Sequence, residues 1–364
     1  AVFCRQWDWT FPSDREVVRT FGIFNDTRFA EPITFQRQLL IDGREVYSKE
    51  STQQVAPGTA FKLDDRIPMP AVTDRTAGEL RLTLVVDGES VFEDVKPLAI
   101  LPPPVLEGID AGALAVWDPK GAAAEFLTAL GVPFVRVESI EGIPGSAKLL
   151  VGADALSEEA STSTQLAAFA SKGHSVVVLD QDHPLKYQAL PAEMELAPRT
   201  DENDFGTEIP TSAGKTAFIE DASHPALQGL KNADFFTWGP DHQVFRNAYR
   251  KPTRGAKSLV QCGPRLGFSA LVEVPVGEGL MLLSQLDIGA KLGVNPVADQ
   301  LLVQLIRTGL EYERVLAPVA VVSEDAELLT ALDAIGLKYF MAAASPLIAS
   351  RGSSAGKYLR PIAS

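Results

Sequence analysis

Ser175-Val176-Val177-Val178-Leu179 is an unbroken apolar run followed at once by Asp180-Gln181-Asp182-His183. A strand with one wet face alternates apolar and polar residues, so a run without alternation marks a strand covered on both faces, at the centre of a parallel sheet. Its neighbours fit that reading. Residues 114–117 and 148–151 are short apolar strands, and residues 121–130 form a helix with Phe126, Leu127 and Leu130 on one face. A second helix is predicted over residues 157–171, stopped by Gly173 where a left-handed cap is favoured. Further on, residues 267–274 and 279–285 read as strands. Residues 296–312 read as a helix with proline in its first turn. Strands alternating with helices predict a three-layer α/β domain with a largely parallel sheet over residues 105–315.

Upstream the period changes to two. Ile33, Phe35 and Leu39 alternate with Thr34, Gln36 and Gln38, and Leu80, Leu82 and Leu84 alternate with Arg81 and Thr83. Asp42-Gly43 and Asp87-Gly88 are hairpin signals because glycine tolerates positive φ. Roughly seven short strands over residues 1–101 predict an all-β sandwich of immunoglobulin type. Trp7 and Trp9 lie two apart, which favours packing in the core or between domains over exposed sugar platforms. Leu101-Pro102-Pro103-Pro104 is a stiff connector that cannot continue a ladder, and it sets the predicted domain boundary. Downstream, Glu327-Leu328-Leu329-Thr330-Ala331-Leu332 echoes Glu125-Phe126-Leu127-Thr128-Ala129-Leu130. Residues 316–364 are therefore expected to begin a second α/β unit with a flexible tail over 350–364. The alternative is an extra strand and helix packed on the preceding domain.

The 364 residues carry 33 Lys and Arg against 47 Asp and Glu, a net charge of −14 that opposes binding to nucleic acid or to anionic lipid. No apolar run reaches the length of a membrane span, and 1–17 lacks the basic and apolar regions of a signal peptide. With no initiator Met, the chain reads as a fragment or a processed product; its compartment is undetermined.

Doubly wound sheets bind ligands beyond the carboxyl ends of their strands, which directs attention to Asp180 and Gln181. The other candidate stretch is 234–252, DFFTWGPDHQVFRNAYRKP, where Trp238, Asp241, His242 and Arg246 crowd together. Asp241 and His242 form an orienter and base pair in principle, although a histidine that fastens a loop is the commoner role. Glu273, Gln285 and Asp287 are further crevice candidates. Cys262 has no histidine at a recognisable spacing and reads as a plain buried thiol, leaving an amidohydrolase using Cys262 as the last-ranked option. The four histidines form no metal-ligand pair, and no phosphate loop or dinucleotide fingerprint occurs, so no metal and no cofactor are expected.

FCRQWDWTFPSDREVVRTFGIFNDTRF resembles the start of the immunoglobulin-like domain that follows the catalytic barrel in bacterial glycoside hydrolase family 2 (β-galactosidase-like) proteins. VVVLDQ, the 234–252 stretch, LGFSALVEVPVGEGLMLLSQLDIGAK and NPVADQLLVQLIRTGLEY resemble the degenerate class I glutamine amidotransferase-like, flavodoxin-like module found after it. The resemblance covers about residues 1–315. It implies a non-catalytic accessory region whose partners are the parent enzyme's catalytic barrel, a glycan or a second subunit, in a bacterial periplasmic or extracellular setting. The barrel's active residues have no counterpart, and the flavodoxin-like elbow that would carry a nucleophilic cysteine holds Asp180, so no catalytic residue is assigned. The alternative of a different class is a carbohydrate-binding module, with Trp238 as platform and Asp241, His242 and Arg246 as polar contacts.

Overall fold

The computed structural model describes residues 1–143, 145, 147–190, 194–197, 199–200, 209–210, 214–314, 319–334 and 339–342. The chain divides into two compact units, Ala1–Tyr312 and Glu313–Ser364. It is a multidomain, β-rich protein, and no helix among the described residues is long and apolar enough to cross a membrane.

The first unit opens with β1 (Val2–Cys4), β2 (Thr10–Pro12), β3 (Glu16–Phe24), β4 (Ile33–Ile41), β5 (Arg44–Gln53), β6 (Ala60–Pro68), β7 (Thr76–Val86) and β8 (Glu89–Leu101). They make two sheets, ordered β1-β3-β6 and β2-β8-β7-β4-β5. Period-two alternation turns Phe21, Ile23, Phe35, Leu39, Ile67, Leu80 and Leu82 inward to one core. The β4–β5 and β7–β8 hairpins close on Asp42-Gly43 and Asp87-Gly88, all four at positive φ, as a two-residue turn matched to strand twist requires. Arg19, Arg37 and Asp65 are charged residues at buried inward positions. Arg37 is fully buried and reaches Asp65 of the opposite sheet at 2.9 Å, with Lys49 on the same carboxylate at 2.6 Å.

After the prolines come β9 (Leu114–Trp117), α1 (Ala122–Ala129), β10 (Val135–Arg136), β11 (Lys148–Val151), α2 (Gln165–Ala170) and β12 (Ser175–Val178). Then follow the short parallel pair β13 (Arg199–Thr200) and β14 (Ile209–Pro210), then β15 (Ala217–Ile219), β16 (Tyr249–Arg250), β17 (Lys257–Cys262), β18 (Phe268–Val276), β19 (Gly279–Ser284) and α3 (Pro296–Glu311). The main sheet runs β10-β9-β11-β12-β19-β18-β17-β15, with β16 beside β18. Val177, Leu150 and Leu282 pack with α1 and α3, whereas Val176, Val178, Leu149 and Met281 pack with α2. Both faces of β12 are thus covered by helical layers.

Two expectations need correction. The sheet is parallel only from β10 to β19; β18, β17, β15 and β16 pair antiparallel, and the short turn at Gly277 between β18 and β19 can join only antiparallel neighbours. The helix expected over 157–171 is confined to Gln165–Ala170. Upstream, the Ser161 and Thr162 hydroxyls bond the Glu158 and Glu159 carbonyls and the Ser163 hydroxyl accepts from Gln165 N. Local side-chain bonds of this kind compete with the helical ladder. α3 begins where its proline indicated, with the Asn295 side chain accepting from the amides of Val297 and Ala298.

The second unit contains β20 (Val319–Val321), α4 (Ala326–Ala334) and β21 (Tyr339–Met341), the two strands pairing in parallel. The rest of the predicted repeat, 316–318 and 336–338, and the tail over 350–364 lie outside the described residues.

Candidate functional site

Beyond the carboxyl ends of β11, β12 and β19, three of the six predicted residues, Asp180, Gln181 and Arg246, come together in one cluster. Asp180 follows β12 and is buried; its carboxylate accepts from Gly289 N at 3.0 Å and faces Arg246 at 3.1 Å. Arg246 also lies against both oxygens of Asp154, at 2.8 and 2.9 Å, and against Asp182. Lys120 reaches Asp154 at 2.6 Å. Gln181, fully buried, ties strand ends together: its amide donates to Gly152 O and Leu179 O and accepts from Leu156 N. Asn247 donates to the Gln181 carbonyl at 2.7 Å.

Burial pushes the Asp180 carboxyl up to about 6, a loss of hydration that the Arg246 charge only partly offsets. Burial also pushes on Asp154, but the hydrogen bonds from Arg246 and Lys120 prevail and hold it below the usual carboxylate range. Arg246 itself is held above its ordinary value, since its desolvation is outweighed by Asp154 and Asp180. The guanidinium is thus saturated by carboxylates and offers no free donor fork to an anion.

The remaining three predicted residues are elsewhere. Trp238 is only 1% exposed, and its indole donates to the Asp234 carbonyl at 2.7 Å. It has no face for a sugar, so the module with Trp238 as platform is not built here. Asp241 pairs with Lys291 at 2.6 Å, and Lys291 also approaches Asp287 at 3.6 Å. His242 sits at φ 61 with its ring 6.0 Å from that of Trp7, apart from Asp241's partner, so the two do not act as base and orienter. Of the further candidates, Asp287 is buried beside Lys291, and the Gln285 carbonyl accepts from Arg246 N. Glu273 is bound instead to His224 at 2.7 Å. Cys262 is fully buried in β17 and burial drives its thiol pKa far up, which removes it as a thiolate nucleophile. Among the described residues no group of three or more His, Cys, Asp or Glu side chains is placed to hold a metal ion.

The 234–252 stretch has another role. The Asp234 carboxylate is buried and accepts from Thr10 at 2.7 Å and from both terminal nitrogens of Arg75 at 2.7 and 2.9 Å. Thr10 and Arg75 belong to the sandwich, so Asp234 clasps it to the α/β part. Asp154, Lys120 and Lys291 were missed by sequence reasoning. Asp154 was within reach, since it follows β11 as Asp180 follows β12.

No family model matches the chain, and no curated protein does. Among solved structures, a protein from Bacteroides fragilis classed as a β-galactosidase overlaps with TM-score 0.22 and 14% identity, over 50% of this chain and 34% of that one. A glycoside hydrolase family 2 member from Bacteroides cellulosilyticus DSM 14838 gives TM-score 0.22 and 9% identity, over 50% and 32%. A β-glucuronidase from the same family gives TM-score 0.23 and 10% identity, over 56% and 20%. The likeness is faint and partial, and the chain spans about a third or less of the lengths of these proteins.

Proposed function

We propose that this chain is a non-catalytic accessory region of a glycoside hydrolase family 2-like enzyme, an immunoglobulin-like sandwich clasped to a flavodoxin-like α/β module that supports a catalytic barrel or subunit contacts. The observation that carries the non-catalytic reading is the Arg246 knot. Where a sheet of this strand order concentrates its chemistry, Asp180 stands at the elbow and Asp154, Asp180 and Asp182 are all paired with Arg246. The accessory reading rests further on the sequence resemblance over about residues 1–315, and the β10-β9-β11-β12-β19 order, 2-1-3-4-5 in chain order, agrees with the flavodoxin-like term.

The test is an assay of the purified chain on aryl β-galactosides, aryl β-glucuronides and glutamine. No turnover is expected on any of them. Sustained turnover by the chain alone, undiminished by repurification, overturns the reading.

A further inference from the structure

A second candidate site lies apart from the strand ends. It is an open hollow of about 610 Å³ at the seam where the sandwich meets the 234–252 stretch. Phe3, Trp7, Trp9 and Phe236 line it, with Asp94 and Lys96 on one wall. A second hollow of about 260 Å³ borders it, with Trp9, Pro97 and Ala233 lining both, and the two are together termed a furrow. Three of these rings face solvent: Phe3 is 67% exposed, Trp7 54% and Phe236 41%. So many exposed aromatic faces in one concavity are unusual for a surface with nothing to bind.

We propose that this furrow is an oligosaccharide-binding site. A pyranose has an apolar face of axial C–H groups and a rim of hydroxyls, so a matching site needs aromatic faces with donors and acceptors beside them. The furrow supplies both. Asp94 and Lys96 form an ion pair at 2.7 Å, each about one-third exposed, and present an acceptor and a donor next to the rings. The volume lies in the small-molecule range of about 300–1,000 Å³, and the second hollow bordering it at Trp9 favours several linked sugars over one.

The rings are held in place before any ligand arrives. Trp9 packs edge-on to Phe11 with centroids 6.1 Å apart, and the Arg19 guanidinium lies 5.4 Å from the Trp9 centroid. Arg19 is itself fixed by the Asp8 carbonyl at 2.7 Å and the Asp8 carboxylate at 3.3 Å. Phe236 is anchored by its backbone bridge to Thr216, while its neighbours Phe235 and Trp238 are buried. Preorganisation of this kind reduces the ordering cost of binding. The furrow stands whether or not the chain serves a glycosidase, because it shares no residue with the Arg246 knot.

The full chain is titrated with cellotriose, maltotriose, chitotriose and trigalacturonate, read by tryptophan fluorescence and calorimetry. Saturable binding of at least one trimer is expected. Trp7→Ala and Phe3→Ala should each weaken it by roughly tenfold or more, and Asp94→Asn by roughly threefold to tenfold. Circular dichroism and Tm close to those of the parent chain show that the variants fold, and the two aromatic variants check one another. A neutral trimer preferred over trigalacturonate assigns a neutral glycan, and the reverse a uronic one. Absence of binding by all four at millimolar concentration overturns the proposal, as does binding that survives both aromatic variants. Self-association of the chain that Trp7→Ala abolishes makes a second copy the occupant, and that too overturns it.

Discussion

Beyond the carboxyl ends of β11, β12 and β19, polar groups converge and satisfy one another: Arg246 spans Asp154, Asp180 and Asp182, and Gln181 bonds three backbone groups. At the seam with the sandwich, Phe3, Trp7 and Phe236 keep their faces to solvent beside an exposed ion pair. One cluster has the residue types of an active site and has spent them on itself. The other has a single ion pair, Asp94 with Lys96, and leaves its aromatic faces open. Chemical composition of a pocket is therefore a weaker guide to binding than whether its groups already have partners.

The largest effects should come from opening what is closed. Trp238→Ala removes a fully enclosed ring and frees the Asp234 carbonyl, and is expected to cost about 3–5 kcal/mol in denaturant unfolding. Arg246→Ala leaves Asp154 and Asp180 facing one another without their shared cation, with a cost of about 3–5 kcal/mol by the same measurement. If Arg246→Ala proves nearly neutral, the knot is not structural and the cluster regains its claim as a site.

How much of this was legible depended on regular structure. Ser175-Val176-Val177-Val178-Leu179 could be read because a strand fixes side-chain direction: Val177 packs to one face and Val176 and Val178 to the other. Asp180 and Gln181 followed from the end of that strand. Trp238 could not be placed in this way. It lies beyond a short turn, between Thr237 and His242, both at positive φ, and tertiary contacts alone decide where such a side chain points. Trp7 shows the same limit from the other side. The two-residue spacing of Trp7 and Trp9 suggests one strand face, but 5–9 is irregular between β1 and β2, and Trp7 turns out to solvent.

A smaller effect concerns pH. Asp180 in the folded chain titrates near 6, above the ordinary carboxylate value of 3.8, so the folded state binds its proton more tightly than the unfolded state. Stability should therefore rise as pH falls through 6 toward 4, by at most on the order of 3 kcal/mol from this group. Asp299, also raised to about 6 by burial, adds a slope of the same sign. Asp180→Asn should remove only part of the gain between pH 6 and 4, measured as Tm against pH. An unchanged profile would mean that Arg246 holds Asp180 ionised, and the knot would be tighter than its burial implies. Below pH 4 the trend reverses, since Asp154 and Asp221 are both held low in the folded state and lose that stabilisation on protonation.

The smallest change in stability should accompany the largest change in binding. Trp7 and Phe3 are more than half exposed, so truncating either removes little buried area. Trp7→Ala is expected to alter unfolding free energy by no more than about 0.5 kcal/mol. Measured beside Trp238→Ala, that result would separate two tryptophans, one enclosed in the core of the α/β part and one facing outward. A cost for Trp7→Ala approaching that of Trp238→Ala would mean that the furrow is part of the clasp around Asp234, since Trp7 already touches His242 and loop 237–242 would then depend on it.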